Sequence, residues 1–429
     1  VEEFSGEITA IVVDGSVDCG GLCGGGGTVD GNAELVAAGE IEMTDVNMDA
    51  VNLAIENESG TWESLLSGEA LSIYNCGPST LAEGAGDLGA TTSTYLGDTA
   101  VGKGSVAAGG EASLGATAFG YGANSLGSSS TALGASSSAS ISSTSVGASS
   151  SASATGTTSI GASASASDSN ASSFGASATA LGSSSLALGS ASNAAFSKST
   201  AVGTASGATA SGSTVVGYGA RTYVVPGIGT NATAVGIQAY SAGNYSTALG
   251  GLSNAYESHS LAIGYEALSS GDYAIALGAS SEASGENAIA QGTGSKATKK
   301  NSIAVGTGAK ATENNAIALG AGSNAAGINA IAIGAGSKAS ATNAVAIGAG
   351  ATASCSNALA FGAASTANKS NAIAIGTLAT AAGNDAFALG TGSEASANNA
   401  SALGTNSVAN QVNGLALGTS SKAIAVNAT

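Results

Sequence analysis

One glycine recurring at a fixed interval constrains this chain more than any other feature. From Gly236 the series runs through Gly250, Gly264, Gly278, Gly292, Gly306, Gly320, Gly334, Gly348, Gly362, Gly376, Gly390, Gly404 and Gly418, every step 14 residues. An earlier run, Gly102, Gly120, Gly134, Gly147, Gly161, Gly175, Gly189, Gly203 and Gly217, keeps the period with small slips. The largest slip, from Gly217 to Gly236, holds "RTYVVPGIG", with the only arginine and one of two prolines, and reads as a loop near 218–230 that interrupts a regular stack. A period this short and this strict specifies a repeat architecture, in which each unit stacks on its neighbours.

The unit "NAIAIGAGSKASAT" (329–342) shows what is stacked. Ile331 and Ile333 alternate with Ala332, the period of a short strand, and the alternation predicts that the Ile pair fills a core. Ala332 is apolar as well, so this strand has no face designed for water. Gly334 turns the corner, since glycine takes positive φ without steric cost. In "SKASAT" the small Ala339 and Ala341 alternate with polar neighbours, as in a second strand with one solvated face. The opposite corner carries Asn287, Asn301, Asn315, Asn329, Asn343, Asn357, Asn371, Asn399 and Asn413, with Asp385 in register. Asparagine suits left-handed turns and can stack into a hydrogen-bonded ladder. Two strands and two corners make one rung of a flattened parallel β-solenoid, with rungs ~4.8 Å apart and a continuous rod on the order of 110 Å long. The Ala stripe on the outer face of the first strand is then a ready interface, which a symmetric bundle of chains would bury.

Composition alone would allow disorder, with 66 glycines and only 9 % charged residues, but 43 % of the chain is hydrophobic and the placement is periodic. The charge is uneven. Residues 1–90 carry 17 acids and no Lys or Arg, whereas 91–429 carry a net charge of −1. This predicts a boundary near residue 90 between an acidic N-terminal domain and a repeat rod at 91–429. No basic stripe is present, which argues against nucleic acid as a partner. No apolar run approaches the ~18 residues of a spanning helix. The chain opens on Val1, which fits either a removed leader or a fragment.

In the first ninety residues "GEITAIVVDG", "GEIEMTDVNMDAVNLAIE" and "EALSIYN" alternate like strands, so a small β-rich domain serving attachment, assembly or a tip is expected. Cys19 and Cys23 can close a small loop by disulfide, or either can pair with Cys76. A zinc site lacks a nearby fourth ligand, because the only histidine is His259. Disulfides or free thiols, and an oxidising extracellular setting, are therefore expected. No cofactor is expected; the one metal reading is Ca²⁺ in the acid-dense segment 17–34, which lacks a D-x-D-x-D-G loop.

Catalysis finds no support. His259 has no motif partners and reads as a turn residue, and "GTGSK" (292–296) lacks the spacing of a phosphate loop and recurs as "GAGSK" at 334–338. A column of Thr99, Thr117, Thr131, Thr144, Thr158, Thr200, Thr214, Thr233 and Thr247 three residues before the glycines suggests ice binding. That reading is set aside because the position shares the predicted inward face with the Val or Leu two residues on.

The unit N-[AS]-[IV]-A-[IVL]-G-x-x-[AS]-x-A resembles the YadA-like head repeat of trimeric autotransporter adhesins, also met in bacteriophage fibres, over roughly residues 91–429. The resemblance implies a left-handed parallel β-roll, a homotrimer, and a place on a cell or virion surface. In some members a motif NSVAIGxxS binds collagen-like matrix proteins. "NAIALGAGS" (Asn315–Ser323) and "NAIAIGAGS" (Asn329–Ser337) come close, which makes Asn315, Ser323, Asn329 and Ser337 an adhesive surface by resemblance. Departures are the lack of heptads and an end within repeat-like sequence, "AIAVNAT". The implied function is a structural or adhesive surface fibre, with a host or matrix surface as partner. The alternative is a self-assembling filament or phage-fibre subunit joined through its N-terminal domain, with no adhesive role.

Overall fold

A computed structural model describes residues 98–109, 115–223 and 230–424, together with the backbone of the short strands that precede them. The described residues are all β, about 22 turns of parallel β-solenoid with no helix among them. The chain falls into two compact units, Val1–Ala191 and Ser192–Thr429. Both contain the same rung.

A rung holds one three-residue strand and one two-residue strand. In the first unit the three-residue strands run from Thr99–Val101 to Leu186–Leu188, each pairing in parallel with the next. In the second unit they run from Thr200–Val202 to Leu415–Leu417. The two-residue strands form a second parallel ladder, ending in Val408–Ala409 against Lys422–Ala423. Hydrogen bonds pass from rung to rung: Ile331 N–H donates to the Ala344 carbonyl at 2.9 Å and Gly334 N–H to Leu319 at 2.7 Å. The expected stacking of rungs is thus observed.

The orientation of the first strand reverses the expectation. Ala332 is fully buried, while Ile331 and Ile333 lie half-buried on the outside. The same order holds along the series, and four positions of each rung point inward: Ala330, Ala332, Ser337 and Ala339 in this one. The core is therefore lined by alanine and serine, with Val215 its largest fully buried side chain. The reason is width. A corner of only four residues, 334–337, joins the two strands, so the sheets lie too close together for anything beyond a methyl or hydroxymethyl group. An inward Ile would need the ~10 Å separation of ordinary packed sheets. Ala341, expected in the second strand, lies in the following turn and is half-exposed.

The two corners differ. At the first, Gly334 has φ +124°, and a Cβ there would come within 2.6 Å of the Gly348 backbone of the next rung. At the second, Asn329 has φ +56° and faces solvent. Changes of rung length fall at the second corner. The long excursion after Gly217 leaves both ladders paired across it, Thr214–Val216 with Thr233–Val235 and Arg221–Thr222 with Tyr240–Ser241. Residues 224–229 of the expected loop lie outside the described residues.

Within 1–90 the described strands are Ile11–Val13, Val17–Asp18, Thr28–Val29, Ala33–Leu35, Ala54–Glu56 and Trp62–Ser64. Ile11–Val13 pairs antiparallel with Ala33–Leu35 and Ala54–Glu56, and Val17–Asp18 with Thr28–Val29. The segment "EALSIYN" and the side chains of Cys19, Cys23 and Cys76, with those of the proposed calcium segment, lie outside the described residues.

Candidate functional site

The outward residues of the three-residue strands form a seam in each unit. In the second unit Ile303, Ile317, Ile331 and Val345 form one column, and Val305, Leu319, Ile333 and Ile347 a second beside it. Parallel in-register pairing sets like on like at the rung spacing. Farther along, Phe361 is 51 % exposed and Leu389 39 %. In the first unit the seam is half polar: Thr117, Thr131, Thr144 and Thr158 form one column, beside Phe119, Leu133, Val146 and Ile160. These threonines face outward, not inward, which removes the stated ground for setting ice binding aside. A different one replaces it, because their partner column is bulky and apolar rather than a second row of threonine.

The asparagine corner forms the predicted ladder. Asn287 Nδ2 donates to Asn301 Oδ1 at 3.3 Å, and the chain of amide bonds continues through Asn315, Asn329, Asn343 and Asn357 to Asn371, which donates to Asp385 Oδ1 at 2.9 Å. Asn315 and Asn329 are exposed within it. Ser323 and Ser337 are not on that surface. Both are fully buried, and their hydroxyls donate to the Gly320 and Gly334 carbonyls at 2.8 and 2.9 Å. The four residues grouped by the resemblance are therefore divided between a surface corner and the core.

Charged groups on the two-residue strand and in the turn after it pair across rungs. Lys296 and Lys300 reach Glu282 and Glu286, each at 2.8 Å. Donation from Lys296 holds the Glu282 carboxyl below its usual range, against a smaller opposing effect of burial. Cys355, half-exposed, donates its thiol to the Asn368 carbonyl at 3.1 Å. Among the described residues no group of three or more His, Cys, Asp or Glu could hold a metal ion, and no helix is long and apolar enough to cross a membrane.

The tyrosines stand outside the repeat pattern. Of ten in the chain, Tyr218, Tyr223, Tyr240, Tyr245, Tyr256, Tyr265 and Tyr273 fall within four rungs. Tyr240 packs against Tyr223 and Tyr256, with ring centroids 6.3 and 5.5 Å away, and burial pushes its hydroxyl pKa up. His259 stacks between Tyr245 and Tyr273 at 5.3 and 4.7 Å. The signal was available as a local departure from the repeat's composition.

Two comparisons bear on what such a surface is for. The profile of a family described as YadA head domain repeat (2 copies) matches residues 114–137, 228–253, 255–281, 283–323, 325–351 and 353–421. No curated protein matches the chain.

Proposed function

The chain carries YadA head domain repeats, and on that premise we propose that it is a structural and adhesive fibre of a cell or virion surface, assembled as a left-handed β-roll homotrimer. The observation that carries this reading is the seam. Two adjacent columns of Ile, Val, Leu and Phe face outward on consecutive rungs of the second unit, and exposed apolar strips of such extent mark association. The core beneath is almost entirely alanine and serine, so each rung buries little apolar surface by itself. Burying the seam against two further copies supplies what the narrow core cannot, at roughly 25 cal/mol per Å² covered. A symmetric trimer sets the same seam of each copy around one axis.

The functional class follows from what the surface offers. Among the described residues there is no metal cluster, and the repeats supply no paired acid and nucleophile. Periodic shape, corners free for contact and a self-associating flank suit a spacer that presents or binds. The test is a charge placed in the seam: Ile317→Asp with Ile331→Asp and Ile333→Asp should yield single chains with unchanged β circular dichroism. If the variant associates as the wild type does, the seam is not the interface. Antibody labelling of intact cells or particles tests the surface location.

A further inference from the structure

At the asparagine corner the amide ladder begins at Asn287, and the three rungs before it depart from asparagine. The register positions of three consecutive rungs hold Tyr245, His259 and Tyr273 in place of asparagine, at φ +56°, +56° and +57°. Left-handed backbone is unfavourable for large side chains and easy for asparagine, so folding alone would favour Asn at all three. The rings stack nearly parallel, at interplanar angles of 18° and 8°, and both tyrosines are 57 % exposed.

The charges carried by these rungs are of one sign, the cation before them being Arg221, paired in register with Tyr240. No Lys or Arg occurs from 222 through 295, a stretch with five acids: Glu257, Glu266, Asp272, Glu282 and Glu286. Glu282 and Glu286 are matched by lysines, and Glu266 is engaged by Tyr265 and by Ser280. Glu257 and Asp272 remain, exposed at the same corner, one following Tyr256 and the other preceding Tyr273.

We propose that this corner, with Tyr245, His259 and Tyr273 flanked by Glu257 and Asp272, docks an arginine- or lysine-rich polypeptide segment. Aromatic rings attract cations over their free faces, and arginine also stacks on them. The register positions beyond Tyr245 and Tyr273 hold the small Asn231 and Asn287, which leaves room for a guanidinium against either ring while the carboxylates accept its hydrogens. An anionic partner is disfavoured by two carboxylates with no compensating cation, and a neutral glycan leaves both carboxylates unpaired. The inference deepens the adhesive reading above. It requires only that the corner stay clear of the seam.

The test uses the full chain at physiological salt and a fluorescent ten-residue peptide of four arginines spaced by serine and glycine. The acidic segment 1–90 is common to all variants, so differences between them report the corner. Tyr245→Asn with His259→Asn and Tyr273→Asn continues the amide ladder, should melt no lower than the wild type, and should bind at least tenfold more weakly. Glu257→Gln with Asp272→Asn, which leaves the rings in place, should weaken binding about fivefold and flatten its salt dependence. Affinities within twofold of wild type for both variants would overturn the proposal, as would tighter binding of a neutral oligosaccharide or a matched glutamate peptide. Light scattering on the same samples separates this from the fibre reading: loss of the trimer with the peptide differences intact would count against the fibre alone.

Discussion

Asn329 does two things that few residues can do together. It occupies left-handed backbone at φ +56°, and its side-chain amide takes a hydrogen bond from Asn315 while giving one to Asn343, both at 3.1 Å. Asn329→Gly keeps the backbone and loses the ladder; Asn329→Ala loses both. Thermal denaturation should show a loss of about 1–2 kcal/mol for Ala and a smaller one for Gly. Gly334 is less forgiving, since any Cβ there meets the next rung's backbone. Gly334→Ala should cost at least about 2 kcal/mol in the same assay. The Glu282–Lys296 pair adds a pH term of known sign. Because Lys296 lowers the Glu282 pKa from 4.5, the pair stabilises above that value and is lost as pH falls through the lowered one. With Lys296 47 % exposed, the effect is at most about 1 kcal/mol. Glu282→Gln should therefore be less stable than wild type at pH 7 and converge with it once pH falls below the lowered Glu282 pKa.

The three-residue strand is where sequence and structure part. Its period of two was legible in "AIAIG", but period does not say which face is inside. Size variation does. The middle position is Ala100, Ala118, Ala132, Ser145, Ser159 and onward through Ala332, always small but for Val215, whereas the flanking position runs through Val101, Phe119, Leu133, Ile160, Gln291 and Phe361. A narrow core cannot accept that range of volumes, and an outer face can. Hydrophobicity pointed to the Ile pair; tolerance pointed to Ala. Both corners were legible from Gly and Asn, but the repeat pattern did not show that Asn315 and Asn329 lie at the surface while Ser323 and Ser337 donate to glycine carbonyls inside the rung. Two predictions belong at this scale. Ala332→Leu should destabilise by about 3 kcal/mol or more through overpacking, seen in the denaturation midpoint. Five residues inserted between Ala341 and Asn343 should leave the melting temperature nearly unchanged, as the natural excursion after Thr222 does to its ladders, whereas the same insertion between Gly334 and Ser337 should abolish cooperative unfolding.

For the whole molecule the outcome turns on the outward columns. A single chain holds a thin core of methyl and hydroxyl groups under a strip of Ile, Val, Leu and Phe, a distribution that leaves its larger apolar side chains on the wrong side of the sheet for a monomer. The fibre reading resolves that imbalance by placing the seams of three copies together, so the mass of the purified chain in solution tests it most directly. Multi-angle light scattering across a gel-filtration peak should return about three times the 39.7 kDa of one chain, at every dilution at which the seam stays buried. A monodisperse peak at the mass of a single chain would contradict the account.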